Sequence, residues 1–377
     1  LYKTPQGLKD EFSSMKIKID DIKIKRTPNV VIIDGGTGSS TVIKGLKKYV
    51  NCNISTLVPM GDSGGSTGRL REQFGILSAG EIRQRLIALA EDDGNNNFVK
   101  LLDYRFEKGN ELKGHNLGNI LIAALTEFYG SQEKAIDALS SAVNAKGKII
   151  PSTWDKFELV AEYANGKNIV GEHFIDESNE DVRITRLYTK PNVKANPLAL
   201  EAIKNADFII FGPGDLYTSI LHNVVVDRIA ESIQNSNAKK IFICNLMTSR
   251  GETSGMTLQD LINEVEKYIK SKLDMVLINS KKLPTQVVNR YEKNLQFPVK
   301  IDLNDEIKRR MKIFQRDLLS EEIYTKKDSD ILERSMLRHS PDKLGILLNE
   351  LLSRFSIVFS ELYVLKNSSI IASVKDS

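Results

Sequence analysis

Residues 30–33 form an unbroken β-branched run, Val-Val-Ile-Ile, that ends on Asp34-Gly35-Gly36-Thr37-Gly38, and a helical pattern begins at Ser39. Such a run favours a strand, the glycines allow a tight turn, and the helical pattern then marks a helix N-terminus. Strand, glycine turn and helix in this order constrain the fold to an α/β type. They also suggest a ligand class. The first amides of a helix are unpaired and carry the positive end of its dipole, so an anion can approach them where glycine leaves room. A phosphorylated ligand fits that description.

The rest of the chain extends the same theme. Apolar strand-like runs recur at 30–33, 54–58, 207–211, 240–244 and 274–278, mostly with helical patterns between them. That alternation predicts a Rossmann-like, doubly wound, mainly parallel sheet with helices on both faces. Leu117, Ile120, Leu121, Ala124, Leu125 and Phe128 recur at three- and four-residue spacing and predict a helix burying that stripe. Residues 148–190 alternate instead, with runs at 157–162 and 168–174 joined by Asn165-Gly166, and predict a small antiparallel insertion. The resulting division is an N-terminal extension (1–28), a nucleotide-binding domain (29–353) carrying the insertion, and a C-terminal tail (354–377). From Pro284 the chain is rich in lysine and glutamate, and a helix over 341–353 is its clearest element. The acidic and asparagine-rich stretch 92–97 reads as a solvated loop.

Composition removes several function classes. At 377 residues, 27% charged and 41% hydrophobic, this is an ordinary globular chain, and no apolar run reaches the ~18 residues of a membrane span. The net charge of +4 is dispersed, which disfavours nucleic acid as the main partner. Cys52 and Cys244 are the only cysteines, too few for a disulfide framework or a cysteine metal cluster, and Cys244 reads as a small buried hydrophobe. The sparse cysteines lead to an expected cytoplasmic location, and the segment before Thr27 is polar and lacks a signal peptide's apolar stretch.

The first glycine turn matches neither a P-loop nor a complete G-x-G-x-x-G, because Ile43 precedes Lys44 and Thr41 stands at the third glycine position. A plain strand-to-helix connection therefore competes with a ligand loop here. A second loop is richer. Residues 62–69, Asp62-Ser63-Gly64-Gly65-Ser66-Thr67-Gly68-Arg69, offer backbone amides, hydroxyls and a guanidinium suited to phosphate oxygens. Asp62 either holds magnesium, takes a proton from an attacking hydroxyl, or serves as a turn or cap. A third loop, Gly212-Pro213-Gly214-Asp215-Leu216-Tyr217-Thr218-Ser219, again follows an apolar run. Three loops on parallel strands converge at the carboxyl edge of the sheet, where open α/β folds bind ligands. Asn245, Thr248 and Glu252 follow the next strand, and Asn116 and Asn119 open the apolar helix, as ligand contacts or as helix caps.

Histidines are few. His115 either lines the site or is satisfied locally, while His173, His222 and His339 have no evident partners, and no nucleophilic triad can be assembled. Arg69, Arg71, Arg83 and Arg85 are concentrated enough to offset phosphate charge, although Arg83 and Arg85 also suit a solvated helix face.

Taken together, these loops resemble the gluconeogenesis-factor family and its relatives, the 2-phospho-L-lactate transferases of deazaflavin coenzyme synthesis. The resemblance rests on Gly35-Gly36-Thr37-Gly38, on residues 62–71 with Gly75-Ile76-Leu77, and on Gly80-Glu81-Ile82-Arg83. It continues through residues 114–119, Gly212-Pro213-Gly214 with Tyr217-Thr218-Ser219, residues 244–248 with Gly251-Glu252-Thr253, and residues 338–344. It spans about residues 29–353. Three positions depart from the family pattern: Ser63 where a second aspartate is common, Asp34 where a third glycine is common, and Ser340 where an aspartate is common.

The first branch implies a protein that binds a nucleotide, a uridine diphosphate sugar above all, and influences cell-wall synthesis, cell shape and growth on gluconeogenic carbon. The second implies transfer of a phospholactyl group from a guanosine diphosphate-activated donor to a deazaflavin, with magnesium and with Asp62 as the catalytic carboxylate. The stretch from Gly64 to Arg71 and the segment around His339 favour the first branch, and loss of the second carboxylate weakens a two-carboxylate magnesium site. The expected nucleotide contacts are Gly35, Gly36, Thr37, Gly38, Ser63, Gly64, Gly65, Ser66, Thr67, Arg69, Asn116, Asn119, Gly212, Pro213, Gly214, Tyr217, Thr218, Ser219, Asn245 and Thr248. No cofactor beyond magnesium is implied, and the partners compatible with the sequence are the nucleotide ligand, a regulatory protein and a second copy of the chain.

Overall fold

The computed structural model describes residues 26–91, 96–324 and 335–353. Residues 28–349 make one compact unit; segments 1–27 and 350–377 group separately, so the N-terminal extension and C-terminal tail lie almost wholly outside the described residues.

The first half of the unit runs β1 (Asn29–Ile33), α1 (Gly36–Tyr49), β2 (Asn53–Val58), α2 (Gly65–Phe74), α3 (Ala79–Leu89), α4 (Asn97–Leu102), α5 (Leu117–Tyr129), α6 (Gln132–Ala142) and β3 (Lys148–Pro151). The insertion comes next as β4 (Glu158–Tyr163), β5 (Asn168–Val170), α7 (Glu172–Asp176) and β6 (Ile184–Lys190). The second half contains α8 (Pro197–Lys204), β7 (Phe208–Phe211), a π-helix (Leu216–Leu221), α9 (His222–Val224), α10 (Ile229–Asn235), β8 (Lys239–Ile243) and α11 (Leu258–Ile269). It ends with β9 (Met275–Asn279), α12 (Thr285–Glu292), α13 (Asp305–Arg310) and β10 (Lys312–Arg316). The chain is helical again over 341–353.

Seven strands form one parallel sheet in the order β10-β9-β8-β7-β1-β2-β3. The central strands are covered on both faces, so they read as continuous apolar runs: Val30 to Ile33 and Phe208 to Phe211 are all at most 1% exposed. Strand order reverses between β1, which runs on to β2 and β3, and β7, which leads to β8, β9 and β10. The loops after β1 and β7 therefore flank a topological switch point, where an open sheet leaves a crevice.

Four sequence expectations need correction. Lys148–Pro151 pairs parallel with β2, so the separate antiparallel sheet, ordered β5-β4-β6, starts at Glu158 rather than at residue 148. Its Asn165-Gly166 turn is present with Gly166 at φ +83, but β5 stops at Val170 and gives way to α7. In α5 the predicted stripe is not the buried one: Phe128 is 79% exposed, and Gly118, Asn119, Ile122 and Ala123 face inward. This helix is apolar all round, so periodicity could not select a face, and the small Gly118 wins because a Cβ there would lie 2.6 Å from the Leu102 carbonyl. In the stretch 92–97, residues 92–95 lie outside the described residues, and Asn96 caps α4 by accepting from the Phe98 and Val99 amides.

The helix at 341–353 meets α1 through two glycines. A Cβ on Gly45 would lie 3.0 Å from Gly345 Cα, so both helices need glycine at this crossing.

Candidate functional site

The switch point is closed by interlocking glycines. A Cβ on Gly38 would lie 1.4 Å from the Pro213 carbonyl oxygen, one on Gly214 would lie 2.0 Å from Asp34 Oδ1, and one on Gly35 would lie 2.6 Å from Ser219 Oγ. Glycine is therefore required here so that two loops of the protein can touch. Asp34 is fully buried beneath them; its Oδ1 accepts from the Gly35 amide at 2.7 Å, and burial raises its carboxyl well above the ordinary range. The Gly36 amide, at the positive end of α1, already donates to Glu81 Oε2 at 2.8 Å. Glu81 in turn pairs with Arg85 at 2.9 Å, and Arg85 donates to the Asp34 and Gly36 carbonyls. The anion expected at this helix end is thus the protein's own carboxylate. Arg85 and Arg83, 0% and 4% exposed, are structural cations rather than a solvated face.

The loop after β2 is built differently. Asp62 Oδ1 accepts from the Gly64 amide at 3.0 Å, a turn-forming contact, yet the residue also lines the cavity. Burial and nearby Glu81 push its carboxyl up to about 6. Ser66 and Thr67 occupy the first turn of α2. Thr67 Oγ1 accepts from the Gly80 amide at 3.1 Å. Ser66 Oγ lies 2.9 Å from His115 Nδ1 and accepts from Asn119 Nδ2 at 3.2 Å, while Arg83 Nε donates to Asn119 Oδ1 at 3.1 Å. Burial, then the guanidiniums of Arg69 and Arg105, lower the His115 imidazole, which keeps it neutral. Asn116 and Asn119 do not cap α5: Asn116 donates to the Asp103 carbonyl at 3.3 Å.

On the other side of the crevice, Asn245 holds the third loop in a two-way amide pair, accepting from the Gly214 amide at 3.0 Å and donating to its carbonyl at 2.8 Å. Glu252, 1% exposed, accepts from the Tyr217 amide at 2.8 Å and from Thr218 Oγ1 at 2.5 Å, fastening the start of the π-helix. Burial, with Asp215 nearby, pushes its carboxyl up to about 8. Glu172, contributed by the insertion, is likewise raised by burial and by Asp62. The middle of the crevice is therefore acidic, and its β2-side end is basic.

These walls enclose a cavity of about 650 Å³. Of the expected contacts, Gly35, Gly36, Thr37, Gly38, Gly64, Gly65, Ser66, Thr67, Asn116, Asn119, Pro213, Gly214, Thr218, Ser219, Asn245 and Thr248 line it, as does Asp62. Ser63, Arg69, Gly212 and Tyr217 stand outside its wall. Ser63 Oγ accepts from the His173 amide, Arg69 donates to the Lys113 carbonyl, Gly212 makes the turn at φ +75, and the buried Tyr217 hydroxyl reaches Glu264 at 3.0 Å. Sequence reasoning missed Arg105 and the insertion residues Glu172 and His173, and also the far wall of Tyr291, Leu337 and Arg338. Only the last segment carried a signal, through its resemblance at residues 338–344. Among the described residues, no three His, Cys, Asp or Glu side chains are grouped to hold a metal, and Asp62 Oδ1 accepts from the Gly64 amide. Nor is any helix there long and apolar enough to cross a membrane.

Comparison with known proteins adds an independent line. Residues 30–319 match the family model described as 2-phospho-L-lactate transferase CofD. A protein of Thermotoga maritima named as a gluconeogenesis factor is 42% identical over 273 residues, covering 72% of this chain and 85% of its own length. The gluconeogenesis factor of Bacillus subtilis is 35% identical over 327 residues, covering 86% of this chain and 98% of its own. A crystal structure of a Bacillus halodurans protein superposes with a TM-score of 0.76 at 34% identity, covering 85% of this chain and 98% of that one.

Proposed function

The chain belongs to the CofD family and within it to the gluconeogenesis factors, and from that premise we propose that it is a nucleotide-sugar-binding regulator of cell-wall synthesis, cell shape and growth on gluconeogenic carbon. The observation that carries the ligand class is the cavity of about 650 Å³ at the switch point, walled by all three glycine loops. That volume suits a ligand of nucleotide-sugar size, and the position is where open α/β sheets take nucleotides. Its far wall contains Leu246, Met247, Tyr291 and Leu337, members of one apolar cluster suited to a base, while Arg105, Asn116, Asn119 and Ser66 at the other end suit phosphate oxygens.

Two features favour the regulator over the phospholactyl transferase. Ser63 stands where the family commonly has a carboxylate and is bonded to the insertion, and among the described residues no three His, Cys, Asp or Glu side chains are grouped for a metal. Ser63 and Arg71, which reaches Glu158 at 2.9 Å, connect the ligand loop to the insertion, so occupancy at Ser66 and Thr67 has a short route to a surface that a partner can read.

The test is thermal stabilisation by UDP-N-acetylglucosamine, UDP-glucose, GDP, GTP and NAD, each with and without magnesium, because a ligand that binds only the folded state raises its melting temperature. A shift with the uridine sugars supports the regulator. A magnesium-dependent guanosine shift moves the assignment to the transferase, with Asp62 the first residue to replace. Arg105→Ala should weaken the bound ligand about tenfold, roughly 1.4 kcal/mol, whereas Arg69→Ala, outside the wall, should weaken it less.

A further inference from the structure

The cavity contains a hydroxyl whose surroundings exceed what ligand binding needs. Ser66 Oγ is 2.9 Å from His115 Nδ1, both residues are 6% exposed, and Ser66 forms part of the cavity wall. Asn119 Nδ2 donates to the same oxygen, and Arg83 fixes that amide through its carbonyl oxygen. Since Asn119 supplies a proton to Ser66 Oγ, the serine's own hydrogen is free to point at Nδ1. In the tautomer that carries its ring proton on Nε2, the imidazole is the acceptor. This is the contact a nucleophile makes with its base.

We propose that Ser66 is a nucleophile activated by His115, able to take a phosphoryl group from an anionic phosphate-anhydride ligand held in the cavity. In the step, Ser66 Oγ bonds to phosphorus and its proton passes to His115 Nδ1. The bond from that phosphorus to the bridging oxygen breaks, and the departing phosphate monoester keeps the electron pair. The imidazolium passes that proton to the departing phosphate and is neutral again; water then attacks the same phosphorus, giving one proton to His115, while the Oγ–P bond breaks and Ser66 takes that proton back from the imidazolium. The sum is hydrolysis of the anhydride by one water.

Arg69 and Arg105 flank His115 and oppose formation of an imidazolium. A bound phosphate offsets those guanidiniums, so proton transfer becomes more favourable when an anionic ligand is present. Ser66 lies in the first turn of a ten-residue helix, whose positive end stabilises charge developing on the phosphoryl oxygens.

The test is labelling by diisopropyl fluorophosphate, in which Oγ–P forms, fluoride leaves and the proton goes to the base; it is read by intact mass and peptide mapping. The wild type should carry one adduct, on Ser66, formed at a rate that is level around neutral pH and falls in acid as the imidazole is protonated. Ser66→Ala should take no label. His115→Asn places an amide oxygen near the Nδ1 position, keeping the hydrogen bond but not the base, and should slow labelling by at least about 100-fold with the melting temperature kept. No adduct on the wild type, an adduct on Thr67 or elsewhere, or a rate unchanged by His115→Asn would each overturn the proposal. The wild-type pH profile needs no variant, and no nucleotide enters the test, so its failure is distinct from failure of the uridine-sugar titration.

Discussion

The loops after β1 and β2 are both rich in glycine and hydroxyls, and each precedes a helix, yet the fold uses them in opposite ways. After β1 the glycines exist to let protein meet protein: Gly38 and Gly214 leave no room for a methyl against Pro213 and Asp34, and the helix end is satisfied by Glu81. After β2, Ser66 and Thr67 line the cavity, and their hydroxyls are held by Asn119 of α5, by His115 just before it and by the α3 amide of Gly80. A glycine loop at a switch point is therefore not in itself an anion cradle. What distinguishes the two is whether the helix's first amides already have a carboxylate partner.

The largest expected effect tests the interlock. Gly38→Ala puts a methyl 1.4 Å from a backbone carbonyl that cannot move without displacing the third loop, and should cost more than about 3 kcal/mol or prevent recovery of folded protein. A stable Gly38→Ala protein, measured by urea denaturation, would mean that the two loops are not locked together. Asn245→Ala comes next. It leaves the Gly214 amide and carbonyl without their partner and should cost about 2 kcal/mol by the same measurement, with ligand affinity reduced as the third loop loosens.

Glu252→Gln sharpens the comparison through pH. A carboxyl raised from 4.5 to about 8 favours the protonated native state. Its stabilising contribution is complete below pH 4.5 and is lost as pH rises toward 8. The wild type should therefore melt lower at about pH 8 than at about pH 5.5, and the glutamine variant, which mimics the neutral acid, should lose a few degrees of that difference, at about 2 °C per kcal/mol. An identical pH slope in both proteins would show that Glu252 is ionised throughout and that the π-helix is fastened by a carboxylate.

How legible these features were depends on what carried them. The central strands were readable within a residue because burial on both faces leaves only β-branched and aromatic residues; β10, Lys-Ile-Phe-Gln-Arg, was not, because an exposed edge strand has no such pattern. The three loops were readable from glycine and hydroxyl content. Their division of labour was not, since Glu81 lies 45 residues from Gly36 and His115 lies 49 from Ser66. Local spacing carries no information about such pairs. The α5 face was misread for a related reason: the side that packs inward includes Gly118 and Asn119, which add nothing to an apolar stripe.

The smallest effect is the most discriminating. Gly36 sits at φ +60 with nothing within 4 Å of where its Cβ would be, so Gly36→Ala meets backbone strain but no clash and should cost about 1 kcal/mol. Its amide is engaged by Glu81, so the position does not supply that donor to a ligand. Affinity for the stabilising nucleotide should therefore stay within about twofold, while Ser66→Ala, which removes a hydroxyl from the cavity wall, should weaken it by about fivefold or more, roughly 1 kcal/mol. Were Gly36→Ala to weaken the ligand as much as Ser66→Ala while remaining folded, Glu81 must yield the helix end when ligand arrives. The loop after β1 would then be a second anion contact whose carboxylate is a placeholder, released toward Arg85, and the two loops would differ in timing rather than in use.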